Sequence, residues 1–167
     1  MQAAGLLESK RAFVKGQAMR RWIFAILSTL VFSTSAMAED SLIQLESHFN
    51  VEETAARMEQ VLQDKGITVF ARVNHSDAAH GVGMELRDTV LLMFGNPKIG
   101  SRLMQCQQSV AIDLPLKVLI WKDAHEKVWV SYNAFSYLQH RHQIEGCDTT
   151  LSKMQKGLDT IVKLSVN

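Results

Sequence analysis

Proline and cysteine are scarce in this sequence, with two of each in 167 residues. Few prolines mean few forced breaks in helices or strands. Two cysteines exclude the dense disulfide framework of a small secreted scaffold, where cysteine exceeds about 8% of the chain. No His-Glu-x-x-His, Cys-x-x-Cys or Cys-x-x-Cys-His stretch occurs, so zinc proteases, thioredoxin-like sites and covalent haem attachment all lack their signature. A phosphate-cradling glycine loop is missing, and no nucleophile stands beside an evident base in the chain. Basic excess is missing too: 18 Lys and Arg stand against 17 Asp and Glu, a net charge of +1. Without a basic stripe, nucleic-acid binding is disfavoured. No apolar run reaches the ~20 residues that span a bilayer.

What is present is an ordinary globular composition, 47% apolar and 21% charged, behind an export signal. Arg20 and Arg21 supply the positive start, Trp22 to Phe32 an apolar run of 11, and Ala36-Met37-Ala38 the small-x-small pattern that signal peptidase cuts after. Residues 1–18 precede a second methionine, Met19, and read as an upstream extension to the signal. Cleavage is expected after Ala38, leaving 39–167 as one domain. No cysteine stands at the cut to carry a lipid, and the surroundings of Arg20-Arg21 fit a twin-arginine signal poorly. The expected route is general secretion and the expected compartment the periplasm, with no membrane attachment after cleavage. The mature chain keeps 13 basic and 16 acidic residues, a net charge of −3, and both cysteines. An even pair in an oxidising compartment predicts a Cys106–Cys147 disulfide.

Leu42 to Phe49 alternates imperfectly and predicts a first strand. Asn50, with Glu53 three residues on, is a capping pair for a helix whose Val51, Ala55, Met58, Val61 and Leu62 share one face. Gly66 ends it, and Ile67 to Asn74 returns as a strand. His75 to Glu85 is small and polar, a loop or one helical turn. Val90 to Phe94 is apolar without alternation, a pattern of burial on both faces. After Gly95-Asn96-Pro97, residues 99–107 can hold a short helix. Leu114 to Trp121 and Lys127 to Asn133 predict a hairpin. Leu151, Met154, Leu158, Ile161 and Val162 mark a last helix beginning at Asp148 or Thr149. The expected fold is α+β: strand, helix, four strands, helix.

The stretches FNVEETAARMEQVLQDKGITVFARVNHSDAAHGVGMEL, LLMFGNPKIGSRLM, DLPLKVLIW, VWVSYN and YLQHRH, between Phe49 and His142, resemble the DUF302 family, a domain named for its unknown function. The resemblance implies a TBP-like β-α-β4-α fold, an antiparallel sheet with its helices on one face, and association as a homodimer. It implies no activity, since a shared fold does not carry a function with it. Cys106, Cys147 and the Glu145-Gly146-Cys147 stretch before the last helix depart from the usual family pattern.

Chemistry-capable residues are few. His75 and His142 stand at positions matched in the family and are candidates to bind a metal or an anion, imidazole being a common ligand. The plainer role, which carries more weight, is capping strand or helix ends by hydrogen bonds. His140 and His142 diverge if they lie on a helix, and His80 and His125 fall in loops. Met84, Met93 and Met104 suit Cu(I) as soft thioethers, but core filling explains Met93 as well. Lys98 and Lys117 are candidate anion-binding groups; Lys117 has a plainer partner in the Asp113 carboxylate. Asn133 ends a strand beside Ser131 and Tyr132. The expected pocket joins His75, Lys98, Asn133 and His142. Two functions follow: an exported binding or interaction module in a periplasmic redox or stress pathway, taking a small ligand or a protein partner, or a metal carrier or enzyme using His75 and His142. Neither cofactor nor ligand is named by these residues.

Overall fold

Strand-period and helix-period segments alternate along the chain, and the computed structural model, which describes residues 41–167, folds them into an α+β domain around one antiparallel sheet. The expected signal peptide and upstream extension, residues 1–38, lie outside the described residues. In order the elements are β1 (Leu42–Ser47), α1 (Val51–Asp64), β2 (Thr68–Asn74), α2 (His75–His80), β3 (Thr89–Gly95), α3 (Pro97–Cys106), a 3-10 turn (Gln108–Asp113), β4 (Leu116–Lys122), β5 (Val128–Asn133), α4 (Phe135–His142) and α5 (Asp148–Val166). The strands lie in the order β1-β5-β4-β3-β2. The expected order holds, with α2, α3, the 3-10 turn and α4 inserted between its members. Residues 134–147, to which the sequence pattern assigns no element, contain α4.

Local chemistry starts and stops α1 as expected. Asn50 Oδ1 accepts from the Glu53 N–H at 2.8 Å. At the other end Gly66 takes φ of 66°, letting its own N–H reach Gln63 O and that of Ile67 reach Leu62 O. That is the paired bonding by which glycine closes a helix, and a side chain there would be strained. Arg57 donates to Ser165 O at 3.3 Å, supplying a cation and a donor to the last carbonyls of α5.

The two long helices cover one face. Val51, Ala55, Met58 and Leu62 of α1 and Leu158, Ile161 and Val162 of α5 are buried, as are Val90, Leu92, Phe94, Val118, Ile120 and Val130 beneath them. Burial in β3 alternates residue by residue. The uniform apolar run is therefore not buried on both sides: Leu91 and Met93 are half-buried on the face away from the helices. That open face is apolar but partly satisfied, with Ser131 Oγ accepting from Trp121 Nε1 at 2.8 Å and Gln44 Nε2 at 3.0 Å. The β4–β5 hairpin turns on Asp123, whose carboxylate accepts from the Trp129 indole and from the N–H groups of His125 and Lys127. The indole bond holds that carboxyl below its ordinary range, with the two backbone donors adding to the effect.

Cys106, at the end of α3, and Cys147, the residue just before α5, are joined, with Cα atoms 6.4 Å apart and a sequence separation of 41. Closing a loop of that length stabilises by roughly 3–4 kcal/mol. The double replacement Cys106→Ser, Cys147→Ser is expected to lower unfolding stability by about that amount in urea titration. Two free thiols in exported, denatured, unreduced protein would show that the bond is not made in the cell.

Candidate functional site

β3 ends at Gly95 and the chain turns at Asn96, whose Oδ1 accepts from the Lys98 N–H at 3.0 Å, with Pro97 opening α3. Asparagine caps and proline at the first helical position suit a helix start. α3 then runs to Cys106, where the disulfide fastens it to the start of α5. Between these two helices lies a cleft of about 600 Å³. Phe94 and Leu116 form its floor, Ile99 and Met104 one wall, Met154 and Ile161 the other.

Phe70 sits at the lip. The β2–β3 ladder shifts register between Val69 and Ala71, so Phe70 is the residue left over in a bulge. Its ring edge lies 3.6 Å from where a side chain on Gly95 would begin, and the residue is 53% exposed. Gly157 lies opposite, in the interior of α5. A side chain built on it would meet nothing within 4 Å, so helix packing does not demand glycine there. Glycine in a helix interior costs about 1 kcal/mol relative to alanine. Its presence keeps the cleft wall flat. Arg102 and Lys153 stand among the lining residues, and neither forms an ion pair with any described residue.

The four residues expected to share a pocket do not converge. β2 begins with Thr68 opposite Gly95 and ends with Asn74 opposite Val90. His75 therefore lies a strand's length, roughly 20 Å, from the end of the sheet where Lys98 follows Gly95. It is exposed and begins α2, which Asn74 caps. Lys98 lies beside the cleft without lining it, while Asn96 and Pro97 do line it. Asn133 borders a separate depression of about 280 Å³ on the open face of the sheet, with Lys117, Trp121 and Ser131.

His142 is buried, and both ring nitrogens are engaged: Nε2 lies 2.6 Å from Asp113 Oδ2, and Nδ1 lies 3.0 Å from Ser109 Oγ. Asp113 precedes Leu116, which pairs with Phe94 beside Gly95, so His142 lies at the end of the sheet away from His75. A shared metal would need both imidazoles within about 2 Å of one ion, which this separation and this engagement prevent. No group of three or more His, Cys, Asp or Glu among the described residues could hold a metal ion. Met84 is exposed in a loop, Met93 faces the open side of the sheet and Met104 lines the cleft, so the three do not meet. Lys117 bonds the backbone carbonyls of Asp113 and Pro115, not the Asp113 carboxylate, which goes to His142 and Arg141.

Sequence reasoning missed the Ser109 hydroxyl beside His142. The two are 33 positions apart, and Asp113 is 29 from the histidine, so no local spacing could have joined them. Phe70 and Gly157 carry no local signal of a binding site either.

The geometry separates the two histidines by role. Replacing His142 with alanine removes two partly buried hydrogen bonds and leaves Asp113 short of a partner, an expected loss of about 2–3 kcal/mol in denaturant unfolding. His75→Ala, at an exposed helix start, is expected to stay within about 0.5 kcal/mol. Equal losses from both would show that His142 is not held as described.

A family model described as "Domain of unknown function DUF302" matches residues 43–161. Among sequence relatives, a protein of Brucella suis biovar 1 (strain 1330) named "Fluoride-specific ion channel FluC 1" is 34% identical over 130 residues, covering 77% of this chain and 51% of the relative. A protein of Brucella melitensis biotype 1 named "Fluoride-specific ion channel FluC 2" is also 34% identical over 130 residues, covering 77% and 48%. The chain thus spans about half the length of the relatives it matches. Among solved structures, an uncharacterized conserved DUF302 protein from Bacillus stearothermophilus superposes with a TM-score of 0.69 at 16% identity, over 75% of this chain and 98% of that one. At that identity the likeness is one of fold.

Proposed function

Because the chain belongs to the DUF302 family, whose name records no function, we propose a role from the cleft it carries: an exported domain that binds a small amphipathic anion. The apolar body of the ligand lies between α3 and α5, and its anionic group meets Arg102 and Lys153. The observation that carries this is the cleft of about 600 Å³ with apolar floor and walls, within the range of about 300–1,000 Å³ that small-molecule sites occupy. Gly157 supports it, because the chain forgoes a better helix former at a position that borders the cleft and has open space for a side chain. Arg102 and Lys153, which pair with no carboxylate among the described residues, supply the charge complement.

The fluoride channel named for the relatives does not enter this proposal. The shared segment is half of those proteins, and no helix among the described residues is long and apolar enough to cross a membrane. The alternative of a metal carrier or enzyme on His75 and His142 loses its support with their separation. As partner we propose a second copy of this chain on the open sheet face, where Leu42 and Val73 are exposed beside half-buried Leu91, Leu119 and Trp121. A monomer mass by light scattering at tens of micromolar would overturn that part alone.

Laurate and the uncharged dodecanol are suitable probes by calorimetry. Laurate is expected to bind, and Gly157→Leu to weaken it by at least roughly tenfold without lowering the melting temperature, since leucine is the better helix former. The pair Arg102→Gln, Lys153→Gln is expected to weaken laurate and leave dodecanol unchanged. Failure of both probes to bind, or equal binding by Gly157→Leu, would remove the cleft as a ligand site.

A further inference from the structure

Outside the cleft, one cluster has the geometry of chemistry: Ser109, His142 and Asp113. We propose that Ser109 is a nucleophile, that His142 is its general base, and that the site cleaves carboxylic esters. A carboxylate accepts hydrogen bonds and does not donate them. With Asp113 Oδ2 2.6 Å from Nε2, the ring proton sits on Nε2 and Nδ1 is left as an acceptor. The group 3.0 Å from Nδ1 is the Ser109 hydroxyl, which therefore donates to it. The imidazole side chain is 6% exposed and the Asp113 side chain 17%, whereas Ser109 is exposed. The base is shielded from solvent and its hydroxyl partner is open to it.

Serine hydrolases place the same three groups in the same chain, with the two ring nitrogens exchanged. The exchange leaves the proton logic intact, because either nitrogen can carry the proton while the other accepts. Arg141 Nε, 3.5 Å from the same Asp113 oxygen, adds a cationic partner to the carboxylate and helps hold it in place. Asp113 is a positioning residue: it fixes the tautomer and stabilises the imidazolium that forms.

In the first step Ser109 Oγ forms a bond to the ester carbonyl carbon as its proton passes to His142 Nδ1. The carbon–oxygen bond to the alcohol then breaks, and the leaving oxygen takes that proton. Water repeats the sequence on the acyl-serine, giving the free acid and returning the proton to Oγ. The net reaction is ester plus water to acid plus alcohol. Ala111 and Leu114, on or next to the same 3-10 turn, line the cleft, which assigns an apolar acyl chain. That chain assignment rests on the cleft as a ligand site; the nucleophile does not.

Diisopropyl fluorophosphate tests the nucleophile directly, since attack by Oγ forms an oxygen–phosphorus bond and expels fluoride. Mass spectrometry of the wild-type protein is expected to find the adduct on Ser109, at a rate at least roughly a hundredfold above Asp113→Asn with an unchanged circular dichroism spectrum. Ser109→Ala, an exposed change, should abolish both the adduct and hydrolysis of p-nitrophenyl acetate while still binding laurate. An adduct absent from Ser109, or formed no faster than in the urea-unfolded chain, would overturn the proposal. A labelled Ser109 with no preference for p-nitrophenyl laurate over the acetate would keep the nucleophile and remove the acyl-chain assignment.

Discussion

Two long helices can cover one face of a five-stranded sheet and no more, and that limit organises the rest of the molecule. The alternation of Val90, Leu92 and Phe94 against Leu91 and Met93 in β3 shows the limit most directly. Each inward residue fully buried under α1 and α5 is worth roughly 1.5–3 kcal/mol; each outward one gains only part of that. Because α1 and α5 occupy the inner face, α3, the 3-10 turn and α4 pack instead at one end of the sheet, beside α5. The cleft is the space left where that third layer meets α5 imperfectly.

Polar groups that become buried in this arrangement are paired. Tyr132 reaches through the helix layer and donates to Asp159 Oδ1 at 2.7 Å; Gln155 donates to the same oxygen at 2.6 Å and accepts from the Phe135 N–H at 3.0 Å. Burial and the neighbouring carboxylate push the Tyr132 hydroxyl well above its ordinary range, so it stays protonated and remains a donor. This chain of bonds ties the end of β5, the start of α4 and the middle of α5 into one unit. Ser47 and Thr54 do the same between β1 and α1, with hydroxyls 2.8 Å apart. No buried side-chain nitrogen or oxygen among the described residues lacks a partner, as a well-specified interior requires.

The fold was largely legible, because its signals are local. Asn50 and Gly66 bound a helix by chemistry confined to a few residues, and the stripe from Leu151 to Val162 repeats at a helical period. That β3 is buried on one face only was not legible, since a uniform apolar run looks the same whether a second layer covers it or not. α4 was missed because its buried positions, Phe135, Leu138 and His142, are too few to show a period. The candidate site was mostly illegible. His75 and His142 looked alike in sequence, yet strand register sends one to the far end of the sheet, and tertiary packing occupies the other. Register and packing are not written in spacing along the chain.

The disulfide explains why the cleft stays open. Apolar walls facing each other across a slot gain by closing, as any unfilled apolar gap forfeits contacts on both sides. α3 is prevented from sliding onto α5 at both its ends. At its start the Asn96-Pro97 turn hangs from β3, whose pairing with β2 and β4 is fixed residue by residue. At its finish Cys106 is bonded to Cys147. With both ends pinned, only side chains can fill the gap, and at Gly157 the chain supplies none. Held walls and a missing side chain together make an apolar space that is preorganised, so a ligand entering it spends little on ordering the protein.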